Sequence, residues 1–168
     1  MALTVETGAV VANAESYVTV AEADTYWSYR NNGTWAAAAP AAKEAALREA
    51  TQFLDGSYKW AGSLVSSAQK LLWPRVVGID RSGREISSTS IPSAIKSAQC
   101  ELALEALGGR LMASLERGGA VASESVGALS VSYFQGAPGS RKYPFINLIV
   151  KDLTESGAGS VSIDAVRG

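Results

Sequence analysis

The stretch Gln69–Arg75, which reads QKLLWPR, contains the clearest local signal in the sequence. Trp73 stands directly before Pro74, and a residue in that position avoids helical backbone angles, so a helix entering through residues 71–72 must end here. A tryptophan at such a forced turn can bury a large apolar area. We therefore predict a turn with Trp73 and Pro74 as core anchors. Taken alone, the stretch indicates a buried corner and no function.

Helical patterns lie on both sides of this turn. Upstream, Pro40 suits the first turn of a helix, and apolar residues recur at spacings of three and four over Ala41–Leu54. Downstream, Pro92 opens a second helix that runs to Leu107. The last two turns of this helix are apolar around nearly the whole circumference and so need cover on all sides. Either the chain's own bundle or a neighbouring subunit provides that cover, and the sequence leaves both open.

The N-terminal region predicts an extended lead-in followed by a shorter helix. Tyr17–Val20 is a β-favouring run, and Thr19 and Glu22 have capping-box spacing for a helix over Ala21–Arg30. Gly33 can adopt the left-handed conformation that ends a helix. Farther on, residues 76–86 predict a β-hairpin or loop, whose arginines favour either phosphate binding or an ordinary solvated turn.

The pattern changes beyond residue 117. Leu129, Val131 and Tyr133 alternate with serines, which is the period of a strand, and a short helix is expected from near Pro144. We predict a mainly α fold, a small helical bundle with a C-terminal β-hairpin or extended arm. It forms one domain, with a helical body over residues 1–117 and an arm, short helix and flexible tail over 118–168.

Composition argues against several classes of function. The 15 basic and 16 acidic residues give a net charge of −1, which is unlike a protein that mainly neutralises phosphates. Histidine is absent from the sequence, so no catalytic triad or metal site can use an imidazole. The acidic pairs Glu101 with Glu105 and Asp80 with Glu85 have no positioned partner. We predict no enzymatic activity, no metal, no cofactor and no membrane span.

Several segments, in this order, resemble the head-to-tail adaptor (head completion or connector) proteins of tailed bacteriophages. They are Tyr17–Tyr26, Ala46–Asp55, Gln69–Arg75, the helix that Ile91 and Pro92 open, and the strand-like Glu124–Tyr133. Some members of that family are labelled DnaT-like single-stranded-DNA-binding proteins.

The resemblance implies a structural virion protein that forms a ring of about twelve copies beneath the portal. It would extend the channel for passing double-stranded DNA, without sequence-specific binding, and would dock the next neck or tail protein. Its expected partners are its own copies, the portal and that downstream protein. Its expected location is the virion neck, after assembly in the bacterial host cytoplasm.

A ring of identical subunits needs two different contact faces on each chain. Candidate interface positions lie on the two strong helices: Leu47, Ala50, Leu54, Leu102, Leu104 and Leu107. Candidate partner-binding positions lie in the arm: Leu129, Val131, Tyr133, Val161 and Ile163.

The alternative function is a single-stranded-DNA-binding module. Such proteins stack bases on aromatic side chains, and the first third of the chain is rich in them. The candidates for stacking are Tyr26, Trp27, Trp35, Tyr58 and Trp60. The net charge of −1 weighs against this interpretation.

Overall fold

The computed structural model describes residues 3–80, 83–112 and 143–155, and the backbone of residues 123–126 and 129–132. The helices of this part of the chain are α1 Val20–Ser28, α2 Gly33–Ala37, α3 Pro40–Ser57, α4 Ser93–Leu107 and α5 Pro144–Val150. A 3-10 turn, Lys151–Leu153, follows α5. The strands are β1 Ser63–Leu64, β2 Arg75–Val76, β3 Gly78–Ile79, β4 Glu85–Ile86, β5 Ser123–Val126 and β6 Leu129–Ser132.

The strands form short antiparallel pairs, β1 with β2, β3 with β4 and β5 with β6. Ser63 lies opposite Val76 in the first pair and Ile79 opposite Glu85 in the second. The described residues therefore contain the predicted helices together with small hairpins, so the predicted fold class is confirmed in part, and the fold is better described as mixed α and β. The pairing of β1 with β2 was missed because residues 57–63 show an aromatic connector rather than a strand alternation. The predicted hairpins after residue 76 and after residue 117 are present.

The main helices begin where the sequence signals placed them. At α1 the capping box is formed, with the Glu22 N–H donating to Thr19 Oγ1 at 3.0 Å and the Thr19 N–H to Glu22 Oε2 at 2.8 Å. Helix α3 begins at Pro40 and continues to Ser57, three residues beyond the predicted end. Its last turn accommodates Gly56 because the Tyr58 N–H still donates to the Leu54 carbonyl.

Two local predictions are wrong. Gly33 does not end α1 but begins α2. The left-handed residue is Asn31, with φ of 49°, and Asn32 caps the new helix by accepting from the Trp35 N–H at 2.9 Å. No helix enters the Trp73 corner, because residues 65–72 form turns and bends.

The core lies between α3 and α4, with Gln99 at its centre. The Gln99 side chain is fully buried, and its Nε2 donates to Ser16 Oγ at 2.6 Å, Thr51 Oγ1 at 2.8 Å and the Leu47 carbonyl at 3.0 Å. Its Oε1 accepts from the Tyr17 N–H at 3.0 Å. A buried amide satisfied in this way fixes the N-terminal lead-in against both long helices.

The Gln69–Arg75 corner is buried against this core. Trp73 is 0% exposed, and its ring meets Trp60 edge-on with 5.8 Å between centroids. The Tyr17 hydroxyl accepts from the Trp73 N–H at 3.2 Å and donates to the Asp55 carboxylate at 2.7 Å. Asp55 also accepts from the Leu72 N–H at 3.1 Å. The corner is thus held by backbone hydrogen bonds as well as by apolar packing.

Residues 143–155 pack back onto the same body. Ile146, Val150 and Leu153 belong to the buried core, and the Ala61 N–H donates to the Leu153 carbonyl at 2.9 Å. Residues 113–117, the end of the predicted helical body, lie outside the described residues. The division of the chain at residue 117 stays a prediction. Among the described helices, none is long and apolar enough to cross a membrane.

Candidate functional site

Most of the aromatic residues predicted to stack on bases are buried in the fold. Trp35 and Trp60 are 1% and 2% exposed, and Trp27 is 5% exposed. Tyr58 is partly buried, and its hydroxyl donates to Asn147 Oδ1 at 2.7 Å. The faces of the three indoles are therefore not available to DNA, because packing of the chain itself covers them.

Tyr26 is covered by a charged neighbour instead. The Arg30 guanidinium lies 3.5 Å from the centre of the Tyr26 ring, a cation–π contact. The Tyr26 hydroxyl donates to Glu101 Oε1 at 2.7 Å, and burial together with this carboxylate raises the pKa of Tyr26 well above its ordinary value. The Arg30 side chain is 46% exposed, so part of it remains open to solvent.

Tyr29 is the aromatic residue that the structure exposes most clearly, at 84%. It is the C-cap of α1 and follows Tyr26 by three residues, a spacing that predicts a shared helix face. In the structure the two rings have different surroundings, since Tyr26 reaches Glu101 on α4 and Tyr29 does not take part in the core. We call Tyr26, Tyr29 and Arg30 together the α1 platform.

A recess of about 460 Å³ lies beside the same helix end, between α1, α2 and α3. Its lining includes Asp24, Trp27, Asn31, Trp35, Ala36 and Lys43. By helical phase, residues 24, 27 and 28 lie on one side of α1, whereas Tyr29 lies on another. The recess and the α1 platform are thus neighbouring features of one helix end, not a single surface.

An ion pair lies at the wall of the recess. Asp24 Oδ1 accepts from Lys43 Nζ at 2.8 Å and from the Trp35 Nε1–H at 2.7 Å, and Lys43 Nζ lies 5.6 Å from the Trp35 ring centre. Burial raises the pKa of Asp24, but the bonds from Lys43 and Trp35 outweigh that effect and the pKa lies below its ordinary value. The Asp24 carboxylate therefore stays ionised at neutral pH, and its negative charge offsets the positive charge of Lys43.

Several cations in the described residues are paired with carboxylates. Lys96 bonds Glu22 at 2.7 Å and Lys59 bonds Glu155 at 2.6 Å. Arg48 bonds two further carboxylates, one in the N-terminal lead-in and one in α3. Because carboxylates already engage these cations, phosphate attraction is expected to be modest.

The hairpin arginine and the acidic pairs have structural surroundings. Arg84 bonds Asp80 at 3.0 Å across the β3–β4 turn, which favours the solvated-turn interpretation over phosphate binding. Glu101 holds the Tyr26 hydroxyl, and Glu105 is exposed. The described residues contain no cluster of three or more His, Cys, Asp or Glu that could hold a metal. The absence of enzymatic activity stays a prediction.

The predicted interface residues lie mainly inside this chain. Leu47, Ala50, Leu54 and Leu102 are 0% exposed, and Leu104 and Leu107 are partly buried against the core. The chain's own core therefore covers much of the apolar circumference of α4. Of the two kinds of cover that the sequence left open, this is cover by the chain itself. Trp73 and Pro74, the predicted core anchors, are both buried.

The arm residues are only partly described. Leu129 and Val131 lie in β6, where Val131 is opposite Glu124. Tyr133, Val161 and Ile163 lie outside the described residues. Their predicted role in binding a partner stays a prediction.

Comparison with known protein families gives one match. A family model described as "Putative DnaT-like ssDNA binding protein" matches residues 1–168. No curated protein and no solved structure matches the chain.

This match corrects the resemblance to the head-to-tail adaptor proteins, which is wrong. The short segments that carried the resemblance are stretches of helix, a proline turn and a strand-like run, features that many small proteins share. The ring, the portal, the neck or tail partner and the channel for double-stranded DNA rested only on that resemblance. The expected location in the virion neck has no other basis.

Proposed function

Because the chain belongs to the DnaT-like family, whose model spans all of its 168 residues, we propose that it binds single-stranded DNA. The observation that carries the proposal is this match over the whole length. The match favours the alternative function, binding of single-stranded DNA, over a role as a head-to-tail connector. The aromatic content of the sequence indicates the same alternative.

The α1 platform is the described surface that best suits the proposal. A base can stack on the exposed Tyr29 ring, and another can stack on the outer face of Arg30, which Tyr26 supports from below. Base–aromatic stacking contributes about 1–3 kcal/mol per base and does not depend on sequence, because every base has a π face. The platform therefore favours unpaired strands, whose bases are free to stack.

The pairing of surface charges also predicts how strongly the proposed binding depends on salt. Each phosphate neutralised on a single strand adds about −0.7 to the slope of log affinity against log salt. With most described cations held by carboxylates, we expect only one to three phosphate contacts and a slope of about −1 to −2. Stacking then accounts for more of the affinity than charge does.

Fluorescence anisotropy with a labelled mixed-sequence oligonucleotide of about 20 nucleotides tests the proposal, since one small binding domain covers about 4–16 nucleotides. The same strand annealed to its complement is the control. We expect saturable binding at low salt that is at least about tenfold weaker for the duplex, because paired bases cannot stack on the platform. Absence of binding to the single strand at low salt would overturn the proposal.

A further inference from the structure

Glu101 on α4 contacts two members of the α1 platform at once. Its Oε1 accepts from the Tyr26 hydroxyl at 2.7 Å and lies 4.0 Å from Arg30 Nε. The Glu101 side chain is 21% exposed, so salt screens these contacts less than it would on an open surface. One carboxylate from a neighbouring helix therefore joins the ring and the cation of the platform.

Arg30 is held in one orientation by these groups. Its guanidinium carbon lies 3.5 Å from the centre of the Tyr26 ring, and its Nη1 donates to the Tyr26 carbonyl at 3.0 Å. Because Glu101 also fixes the Tyr26 hydroxyl, the ring and the guanidinium have a common anchor on α4. The guanidinium is thus kept against the ring, which is the arrangement that stacking needs.

The charge of Glu101 also affects how Arg30 can meet a DNA strand. A guanidinium binds phosphate strongly, because it can donate two parallel N–H bonds to it. A carboxylate 4.0 Å from Arg30 Nε offsets part of the positive charge and competes with phosphate for the same donors. Phosphates are available in single and double strands alike, whereas stacking requires unpaired bases. An arginine used for stacking therefore favours single strands more than one used for phosphate.

We propose that Glu101 is a positioning residue, which keeps Arg30 on the Tyr26 ring and away from phosphates and so increases the preference for unpaired strands. The inference rests on the proposed binding of single-stranded DNA at the α1 platform. It extends the site from α1 to α4, the helix to which Glu101 belongs.

The first test removes the charge of Glu101 and keeps the hydrogen bond. Glu101→Gln retains an oxygen that can accept from the Tyr26 hydroxyl. Arg30 is then freer to contact a phosphate, so the slope of log affinity against log salt for the single strand should become steeper by about 0.7. Duplex binding at low salt should become about two- to fivefold tighter. The single strand should gain less, because Arg30 leaves the platform, so its preference over the duplex should fall.

Glu105→Gln is the matched control. Glu105 is exposed one turn farther along α4, and the carboxylate that bonds Tyr26 is that of Glu101. Both variants lose one negative charge, so a general effect of net charge would appear equally in each. We expect Glu105→Gln to keep the salt slope and the strand preference of the parent, and thermal melting verifies that both variants are folded. Equal changes in the two variants would overturn the positioning role.

The second test asks whether the effect of Glu101 passes through Arg30. In an Arg30→Gln background, Glu101→Gln should change neither the salt slope nor the strand preference, because the cation that it releases is absent. Equal changes with and without Arg30 would refute the positioning role. If the parent binds the single strand and Glu101→Gln alters neither quantity, the positioning role fails while the proposed function stands. If the parent does not bind the single strand, the proposed function fails, and this inference fails with it.

Discussion

The Trp73 corner and the end of α1 are built from the same kinds of residues. Each has a tyrosine hydroxyl bonded to a carboxylate, Tyr17 to Asp55 in the corner and Tyr26 to Glu101 at α1. Each also has a buried tryptophan whose indole N–H lacks a partner in the described residues. They differ in exposure, because Tyr17 is fully buried and Tyr26 lies half-open beneath Arg30.

This difference separates a structural role from a recognition role. In the corner, the tyrosine and the carboxylate are occupied by the backbone N–H groups of Trp73 and Leu72, so the cluster holds one part of the chain against another. At α1, an exposed ring and a half-exposed guanidinium remain beside a recess. Hydrogen bonds made within the chain indicate the structural role of the corner. Groups still open to solvent indicate the recognition role of the α1 end.

Trp73→Ala should produce the largest effect. The indole is fully buried against Trp60, so its removal leaves a cavity and should lower the free energy of unfolding by about 3–5 kcal/mol. Urea denaturation followed by circular dichroism measures the loss. A variant that unfolds at the parent's urea concentration would show that the corner does not anchor the core.

Removal of one hydroxyl should separate the two tyrosine–carboxylate pairs. Tyr17→Phe leaves the Trp73 N–H without its acceptor and the partly buried Asp55 carboxylate without its tyrosine donor, and we expect a loss of about 1–3 kcal/mol. Tyr26→Phe should cost less than about 1 kcal/mol, because water can reach Glu101 when the hydroxyl is gone. The same urea experiment compares them, and equal losses would contradict the contrast between the regions.

Tyr29→Ala should weaken binding without changing stability. The ring is 84% exposed, so its loss removes a stacking surface but no core contact. We expect an affinity for single-stranded DNA about tenfold lower, which corresponds to about 1.4 kcal/mol. Thr25→Ala is an exposed control on the same helix, because Thr25 does not line the recess. Unchanged affinity for Tyr29→Ala would remove the α1 platform from the proposed site.

The sequence predicted correctly the helix starts, which depend on signals within one helical turn. The Thr19–Glu22 capping box and Pro40 identified helix starts, because caps and proline act within one turn. Gln99 was missed, since its bonds to Ser16 and Leu47 join residues 83 and 52 positions away along the chain. No local pattern distinguishes such a glutamine from one on a solvated face.

The candidate site was predictable in composition but not in detail. The aromatic cluster after residue 25 was visible, yet the tryptophans within it are buried and the exposed ring is Tyr29. Exposure depends on how α1 lies against α4, where Glu101 bonds Tyr26 and leaves Tyr29 outside. The recess depends on α2, a helix of five residues that a single Asn cap initiates. Tertiary placement therefore decided which aromatic residues are accessible.

Two aspartates should give opposite dependences of stability on pH, one in each region. Burial raises the pKa of Asp55 above its ordinary value of 3.8, despite the bonds from Tyr17 and Leu72 that lower it. The folded protein then holds this proton more tightly than the unfolded chain, so the contribution of Asp55 to stability falls as pH rises above 3.8. Asp24 behaves in the opposite way, because its folded pKa is depressed, so its contribution is present above 3.8 and is lost as pH falls below that value.

Comparison of Asp55→Asn and Asp24→Asn with the parent, by urea denaturation from about pH 3 to 7, measures both signs. As pH rises, the stability difference should move in favour of the Asp55→Asn variant, which lacks the buried charge. For Asp24→Asn it should move in favour of the parent, which keeps the bonds from Lys43 and Trp35 to an ionised carboxylate. If both differences moved in the same direction, the corner would not be the more strongly desolvated of the two regions. The distinction between a closed structural cluster and an open site would then lose its electrostatic basis.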